Sequence, residues 1–290
     1  MLGGPSAERE ISLRSGAAAV KALKSLGHQV SEVDPQKPGW KLPPKVDVVF
    51  LALHGTYGED GTVQKELEAL KVPFTGCDSE ASRIAFDKIL TKECCTKAHV
   101  PNARYQVITS HLAHWPRGWN PPVILKPVCQ GSSVGLQIVE RIQDFSSSLT
   151  ESFRYDKRVL MEEKIEGRET TVGILGDEAL PVVEIQVKKG MNDYGNKYTA
   201  GAADHFCPAD FDAATTKRIQ DAALGAFRAI GGRDYARVDV MVKANGDPVV
   251  LEVNTLPGMT ELSLLPMAAA AAGLNFAQLC QRMVDLALKR

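Results

Sequence analysis

The chain has 290 residues, 34 basic against 35 acidic, and a formal net charge of -1, so it is long enough for two or three domains and lacks the basic excess of a nucleic-acid groove or an anionic-membrane binder. No apolar run reaches transmembrane length, and the first residues lack a basic-then-apolar signal pattern, which together imply a cytoplasmic protein. The six cysteines (Cys77, Cys94, Cys95, Cys129, Cys207 and Cys280) form no CxxC pair and no Cys/His cluster with zinc spacing, as expected of reduced thiols.

In chain order, Met1-Leu2-Gly3-Gly4-Pro5-Ser6 reads as the tail of a strand entering a glycine-rich turn. A helix is predicted over 12–26, with Ser12 as its cap and Leu13, Ala17, Val20, Leu23 and Leu26 at helical spacing. Residues 46–53 form a buried-strand run. The loop from His54 to Gly61 then opens a helix over 62–70, and Val72-Pro-Phe-Thr-Gly76 begins the next unit. Strand–helix alternation with loops this short indicates a parallel α/β domain, whose ligands gather at the C-terminal ends of strands. The Gly3-Gly4, His54 and Thr75-Gly76 loops would emerge at that edge.

A helix over 80–98 leads to a second region. Val123-Ile-Leu-Lys126-Pro127 is a strand ending in a lysine, followed by the small-residue loop Val128-Cys-Gln-Gly131-Ser132-Ser133-Val134-Gly135 and a strand over 136–139. Val159-Leu-Met-Glu162-Glu163 is another strand, and Gly167 starts a new segment. Residues 188–208 follow neither period; a long polar loop inside a compact domain is usually a lid or a binding loop. Helices are predicted over 211–230 and 274–289, and the alanine run at 268–272 reads as helical. The expected units are 1–78, 79–161 and 162–290.

Between those helices, Arg237-Val-Asp239-Val-Met241-Val and Val249-Val-Leu251-Glu252-Val253-Asn254 each alternate at period two around Asn245-Gly246, a strong hairpin signal. A two-residue loop would pair 244 with 247, placing Asp239 opposite Glu252 and Arg237 opposite Asn254. Val238, Val240, Val242, Val249, Leu251 and Val253 would then share the core face. Facing carboxylates repel unless a cation lies between them, and an all-oxygen ligand set suits Mg²⁺ shared with phosphates. A solvated polar face on an edge hairpin is the alternative.

Gly131-Ser-Ser-Val-Gly135 offers backbone N–H groups and two hydroxyls to an anion, although a tight hairpin loop fits the same residues. Lys126 and Lys88 would neutralise phosphate oxygens, whereas a lone lysine is ordinarily a solvated charge. The chain has no P-loop signature, and the Gly3-Gly4 turn is not a GxGxxG fingerprint, which excludes a dinucleotide dehydrogenase. Together the loop, the lysines, the lid and the hairpin point to nucleotide-dependent phosphoryl chemistry.

Nearly end to end, the chain resembles the D-alanine–D-alanine ligases of the ATP-grasp superfamily. The matching stretches are Gly3-Gly-Pro-Ser-Ala-Glu8-Arg9-Glu10-Ile-Ser12-Leu, Ala52-Leu-His54-Gly with Gly58-Glu-Asp-Gly61, Phe86-Asp-Lys88, and Lys126-Pro with Gly131-Ser-Ser-Val-Gly135. Further on come Asp193-Tyr194 with Lys197-Tyr198, Phe206-Cys-Pro208, Arg237-Val-Asp239-Val-Met241, and Leu251-Glu252-Val-Asn254-Thr-Leu-Pro257-Gly258-Met259-Thr260 with Ser263-Leu264.

The resemblance implies an α/β ATP-grasp fold of three domains, the first with a parallel sheet. It also implies ATP-dependent joining of two D-alanines through a D-alanyl phosphate, for peptidoglycan precursors, in a protein that is commonly a homodimer. By the same resemblance, Asp239, Glu252 and Asn254 would bind two Mg²⁺ (or Mn²⁺) ions. Lys88, Lys126 and Lys197 would hold ATP phosphates under the loop at Ser132 and Ser133. Glu162, Glu163 and Ile165 would line the adenine and Glu169 the ribose. Glu8 would meet the ammonium of the first D-alanine near His54. Arg237 would stabilise the tetrahedral oxyanion, and Ser263, Leu264 and Gly258 would receive the second carboxylate. Tyr198 in the lid would reach Ser132 and Glu8 and close the site against water.

Two departures stand out. The first strand appears truncated, with only Met1-Leu2 before the Gly-Gly, so the start lies upstream or the sheet loses an element. Cys129 puts a thiol beside the phosphates, where a small packing residue is the ordinary reading. Two alternatives are a ligase accepting D-lactate or D-serine, against which Tyr198 argues, and a nucleotide-binding protein without turnover.

Overall fold

The computed structural model of the chain describes residues 1–131, 134–188, 203–261 and 263–290. The N-terminal segments lie side by side in parallel. Met1 donates to the Phe50 carbonyl at 2.5 Å, and Ala52 N–H donates to Met1 at 2.9 Å. Leu2 N–H donates to Val33 at 3.1 Å, and Val49 is bridged in parallel to Phe74. Met1 and Leu2 therefore form a short extended stub bonded on both sides.

Helix α1 spans Arg9–Ser25 and begins three residues before the expected cap, Ser12. Ser12 lies fully buried inside the helix and pins the stub: its hydroxyl donates to the Ala52 carbonyl (2.7 Å) and accepts from Gly3 N–H (2.8 Å). Helix α2 spans Thr62–Leu70, as its sequence predicts.

The single helix expected over 80–98 is two, α3 (Ser79–Phe86) and α4 (Lys88–Lys97). Asp87 between them is extended, and its carboxylate caps the Ile89 and Leu90 N–H groups at 2.9 and 3.1 Å. Next come β1 (Tyr105–Ile108), β2 (Val123–Pro127), β3 (Gln137–Val139), α5 (Phe145–Ser152) and β4 (Val159–Glu163). The strands form an antiparallel sheet in the order β1-β4-β2-β3. Val123, Leu125, Val159 and Met161 pack with Phe145 and Leu149 of α5, so the alternate residues Ile124, Lys126 and Glu162 belong to the opposite face.

The second sheet contains β5 (Arg168–Leu175), β6 (Glu178–Ala179), β7 (Val183–Val187), β8 (Ala203–Phe206), β9 (Tyr235–Val242) and β10 (Pro248–Asn254). Its order is β10-β9-β5-β7-β8, with β6 on β5. Strand β8 lies within the stretch read as an aperiodic loop. Helix α6 (Ala213–Ala229) covers one face, where Ile219 and Phe227 join Val238, Val240, Val242, Val250 and Val253. Helices α7 (Leu264–Ala271) and α8 (Phe276–Leu288) finish the chain. Leu51, Leu53 and Phe74 share one core cluster with Tyr235, Leu256, Leu265 and Met283, which ties the two ends of the chain together.

The hairpin reaches the expected pairing by a different route. Lys243 N–H donates to Asp247 and Gly246 N–H to Lys243, which makes a three-residue loop with Gly246 at φ 81°. Val242 accordingly pairs with Pro248 and Val240 with Val250, one residue out of the expected register. A β-bulge between Val250 and Glu252 then restores it, so Asp239 faces Glu252 and Arg237 faces Asn254. The bulge also corrects the core assignment: Val250 enters the apolar cluster, and Leu251 turns into the cleft between the sheets.

Candidate active site

A cleft of about 840 Å³, mouth included, opens between the two sheets. Apolar side chains wall one part of it: Ile124 from β2, Met241 from β9, and Leu251 at the bulge, with Val134, Leu136 and Ile165. Charged groups fill the rest, and Lys88, Lys126, Glu162, Glu163, Glu169, Asp239 and Glu252 all line it. The structure thus brings these residues, singled out in the sequence, to one cleft. Five carboxylates face two ammonium groups among the described lining residues, a poor receptacle for a polyanion unless cations accompany it.

Lys88 is the first residue of α4 because Asp87 breaks the helix, and its ammonium donates to the Gln130 carbonyl at 2.5 Å, beside the glycine loop. Burial holds its pKa below the ordinary lysine value. Lys126 donates to Glu162 Oε2 and Lys92 to Glu162 Oε1, each at 2.5 Å. Burial alone would raise the Glu162 pKa; the two ammonium groups outweigh it and hold the carboxyl below its usual range. Burial likewise opposes the charge on Lys126, but Glu162, then Glu252 and Glu169, raise it above the ordinary value. Lys92 sits deeper against one carboxylate, and burial wins there. Glu162 thus has its carboxylate committed to the two lysines, and its backbone lies in a central strand paired with Tyr105 on one side and Ile124 on the other. Glu163 Oε1 accepts from Arg104 N–H at 3.4 Å.

On the hairpin, Asp239 is 5% exposed. Arg237 donates to both of its oxygens at 2.9 Å, and Thr171 Oγ1 donates to Oδ1 at 2.6 Å. Asn254 Oδ1 accepts from Leu256 N–H at 3.0 Å, shaping the turn towards Gly258. Carboxylate and amide oxygens keep further lone pairs after these bonds, so Asp239, Glu252 and Asn254 fit a hard divalent cation.

A second group of residues converges from the first unit. Glu8 stands at the N-terminus of α1, and its Oε2 would lie 2.7 Å from a Cβ at Gly55 and 3.3 Å from one at Gly131. A side chain at Gly55 would displace that carboxylate, and one at Gly131 would crowd it, between the His54 loop and the Gly131 loop. His54 is 5% exposed, with Nδ1 3.5 Å from Glu59 and Nε2 3.0 Å from Ser15 Oγ. Ser15 Oγ also accepts from Met259 N–H at 3.2 Å, which ties His54 to the turn after Gly258. A Cβ at Gly258 would lie 2.9 Å from Ser263 Oγ. Ser263 holds the N-cap position of α7, just before Leu264, but its Oγ accepts from Thr260 N–H at 3.1 Å instead of capping the helix, whose first backbone N–H groups favour an anion.

Ser132, Ser133, Lys197 and Tyr198 lie outside the described residues. Sequence reasoning missed Lys92, Thr171, Ser15 and Glu59. Lys92 recurs four residues after Lys88 on one helix face, the only signal available for it.

The family description "D-ala D-ala ligase C-terminus" matches residues 97–285 and "D-ala D-ala ligase N-terminus" residues 28–77. A D-alanine–D-alanine ligase of Methylacidiphilum infernorum is 44% identical over 288 residues, 99% of this chain and 94% of the relative. Among solved structures, the D-alanine–D-alanine ligase of Bacillus anthracis complexed with ATP superposes with a TM-score of 0.86 at 29% identity, covering 99% of this chain and 96% of that one. The VanG D-Ala:D-Ser ligase of Enterococcus faecalis gives the same TM-score, 0.86, at 27% identity, with 98% and 97% covered. A cleft between two antiparallel sheets, a carboxylate hairpin and a glycine-flanked Glu8 thus occur on a chain that belongs to the D-alanine–D-alanine ligase family.

Proposed function

We propose that the protein joins two D-alanines at the expense of ATP, in cytoplasmic synthesis of a peptidoglycan precursor. The observation that carries this reading is the pairing of an apolar slot with a charged end in one cleft. The slot between Ile124, Met241 and Leu251 suits a flat purine, and Lys88 and Lys126 lie where its phosphates would extend. Glu8 and His54, on the far side of the Gly131 loop, suit a small zwitterion.

The carboxylate of the first D-alanine attacks the γ-phosphorus, the bond to ADP breaks, and an acyl phosphate results. The amine of the second D-alanine, having lost a proton, attacks the acyl carbon, and phosphate leaves with the C–O bonding pair. Lys88 and Lys126 neutralise phosphate charge, Glu8 orients the first ammonium, and the α7 N-terminus at Ser263 and Leu264 holds the second carboxylate. Arg237 supplies a cation to the tetrahedral oxyanion. Asp239, Glu252 and Asn254 would hold Mg²⁺, which when bound supplies positive charge against the phosphate oxygens. Tyr198 and Lys197 would close the site with Ser132 and Ser133.

The acceptor is D-alanine on the strength of identity. The fold matches the D-serine-named ligase as well as the D-alanine-named one, whereas the 44% identical relative bears the D-alanine name. ADP release is measured with ATP, Mg²⁺ and D-alanine, against L-alanine, D-serine and D-lactate, with the product mass checked. D-alanine-dependent ADP with a D-alanyl-D-alanine mass is expected; a higher rate with D-serine or D-lactate as the partner of D-alanine would reassign the acceptor.

A further inference from the structure

We propose that Lys92 is a positioning residue for nucleotide phosphate binding: from behind the cleft, it cancels Glu162 so that Lys126 keeps its positive charge for the phosphates. Lys92 is 3% exposed and is not among the described residues lining the cleft. Its ammonium bonds Glu162 Oε1 at 2.5 Å and the Ala103 carbonyl at 3.2 Å, and lies 5.4 Å over the Tyr105 ring. Lys126 holds the other oxygen of the same carboxylate and does line the cleft.

The charge count decides the role. One carboxylate between two ammonium groups leaves a net charge of about +1, and the exposed share of it belongs to Lys126. Without Lys92, Glu162 would neutralise Lys126 and hold it against β4, so a phosphate would meet a neutral pair. The strand register fixes this geometry: Ile124 pairs with Glu162 and Lys126 with Leu160, which puts Lys126 and Glu162 diagonally on one face. Lys88 and Lys92, one turn apart on α4, divide the work, one toward the Gln130 loop and one under the sheet.

The inference rests on the nucleotide reading, and the experiment separates the two. Calorimetry on the full chain compares Mg-ATP with adenosine for the wild type, Lys92→Met, Lys92→Arg and the double variant Lys92→Met/Glu162→Gln. Lys92→Met is expected to weaken ATP binding by roughly tenfold or more while adenosine binding changes little, because the lost interaction is charge on charge. Lys92→Arg is expected to keep the wild-type ratio, and the double variant to recover ATP affinity because Lys126 is no longer neutralised. Equal losses for ATP and adenosine would make Lys92 merely structural and overturn the proposal, as would an unchanged ATP affinity. A double variant no better than Lys92→Met would overturn it as well. A wild type that binds neither ligand would sink the nucleotide reading itself.

Discussion

At the scale of single residues, the site is a set of charges whose partners decide their use. Glu252 lies across from Asp239 and lines the cleft. Glu252→Gln removes one anionic oxygen from the proposed metal set without changing shape, so turnover is expected to fall about a thousandfold with the melting temperature nearly unchanged. Near-normal rates at ordinary Mg²⁺ would remove Glu252 from that role. Glu162 makes a different prediction. Its folded pKa lies below the ordinary 4.5, so its stabilisation is complete above about that pH and is lost as the pH falls through the folded value. Glu162→Gln leaves two buried lysines without their carboxylate and should cost roughly 3–5 kcal/mol at neutral pH. That gap should narrow as the pH falls below 4.5 and through the folded pKa, where the parent's carboxyl takes up its proton; urea unfolding at neutral and at acid pH measures it. Of these residues, Glu252, Asp239 and Lys126 were legible because alternation or a strand end announced them. Lys92 was not, since a helical lysine is ordinarily solvated and only the fold brings Glu162 beneath it.

Elements were legible where a period ran uninterrupted and less so where one residue redirected the chain. Asp87 carries an N-cap signal within a helical run, and that signal wins: the break gives Lys88 its position as the first residue of α4. On the hairpin, Asn245-Gly246 indicated a turn, but of the wrong length, and the bulge at Leu251 cancelled the error. The carboxylate pair was therefore read correctly, whereas Leu251 was assigned to the core in place of Val250. A bulge leaves no periodic trace when valine and leucine occupy both faces. The stub of the first strand also depends on a neighbouring element. A Cβ at Gly16, inside α1, would lie 2.4 Å from the Leu2 Cβ. Gly16→Ala should therefore destabilise the protein by about 1–3 kcal/mol despite alanine's better helix propensity. Chemical denaturation tests this, and a stabilised variant would mean that Leu2 moves aside freely.

Across the whole molecule, the α/β class was legible from strand–helix alternation, while antiparallel pairing in the later sheets was legible only at the β9–β10 hairpin, where Asn245-Gly246 announced a turn; elsewhere pairing direction leaves no mark on a strand's own period. Nor could the sequence reveal that Leu51 and Phe74 share a core with Leu265 and Met283, a contact between the two ends of the chain. That shared core, with the Ser15 link from His54 to Met259, holds the His54 loop against the turn after Gly258. Among the described residues no helix is long and apolar enough to cross a membrane. The central claim is that a D-alanine carboxylate takes the γ-phosphoryl group. The most direct test supplies D-alanine labelled with ¹⁸O in its carboxylate, together with ATP and Mg²⁺, and weighs the phosphate released. Attack by the carboxylate predicts one ¹⁸O atom per phosphate formed with each dipeptide; unlabelled phosphate accompanying dipeptide synthesis would contradict an acyl phosphate and the reading built on it.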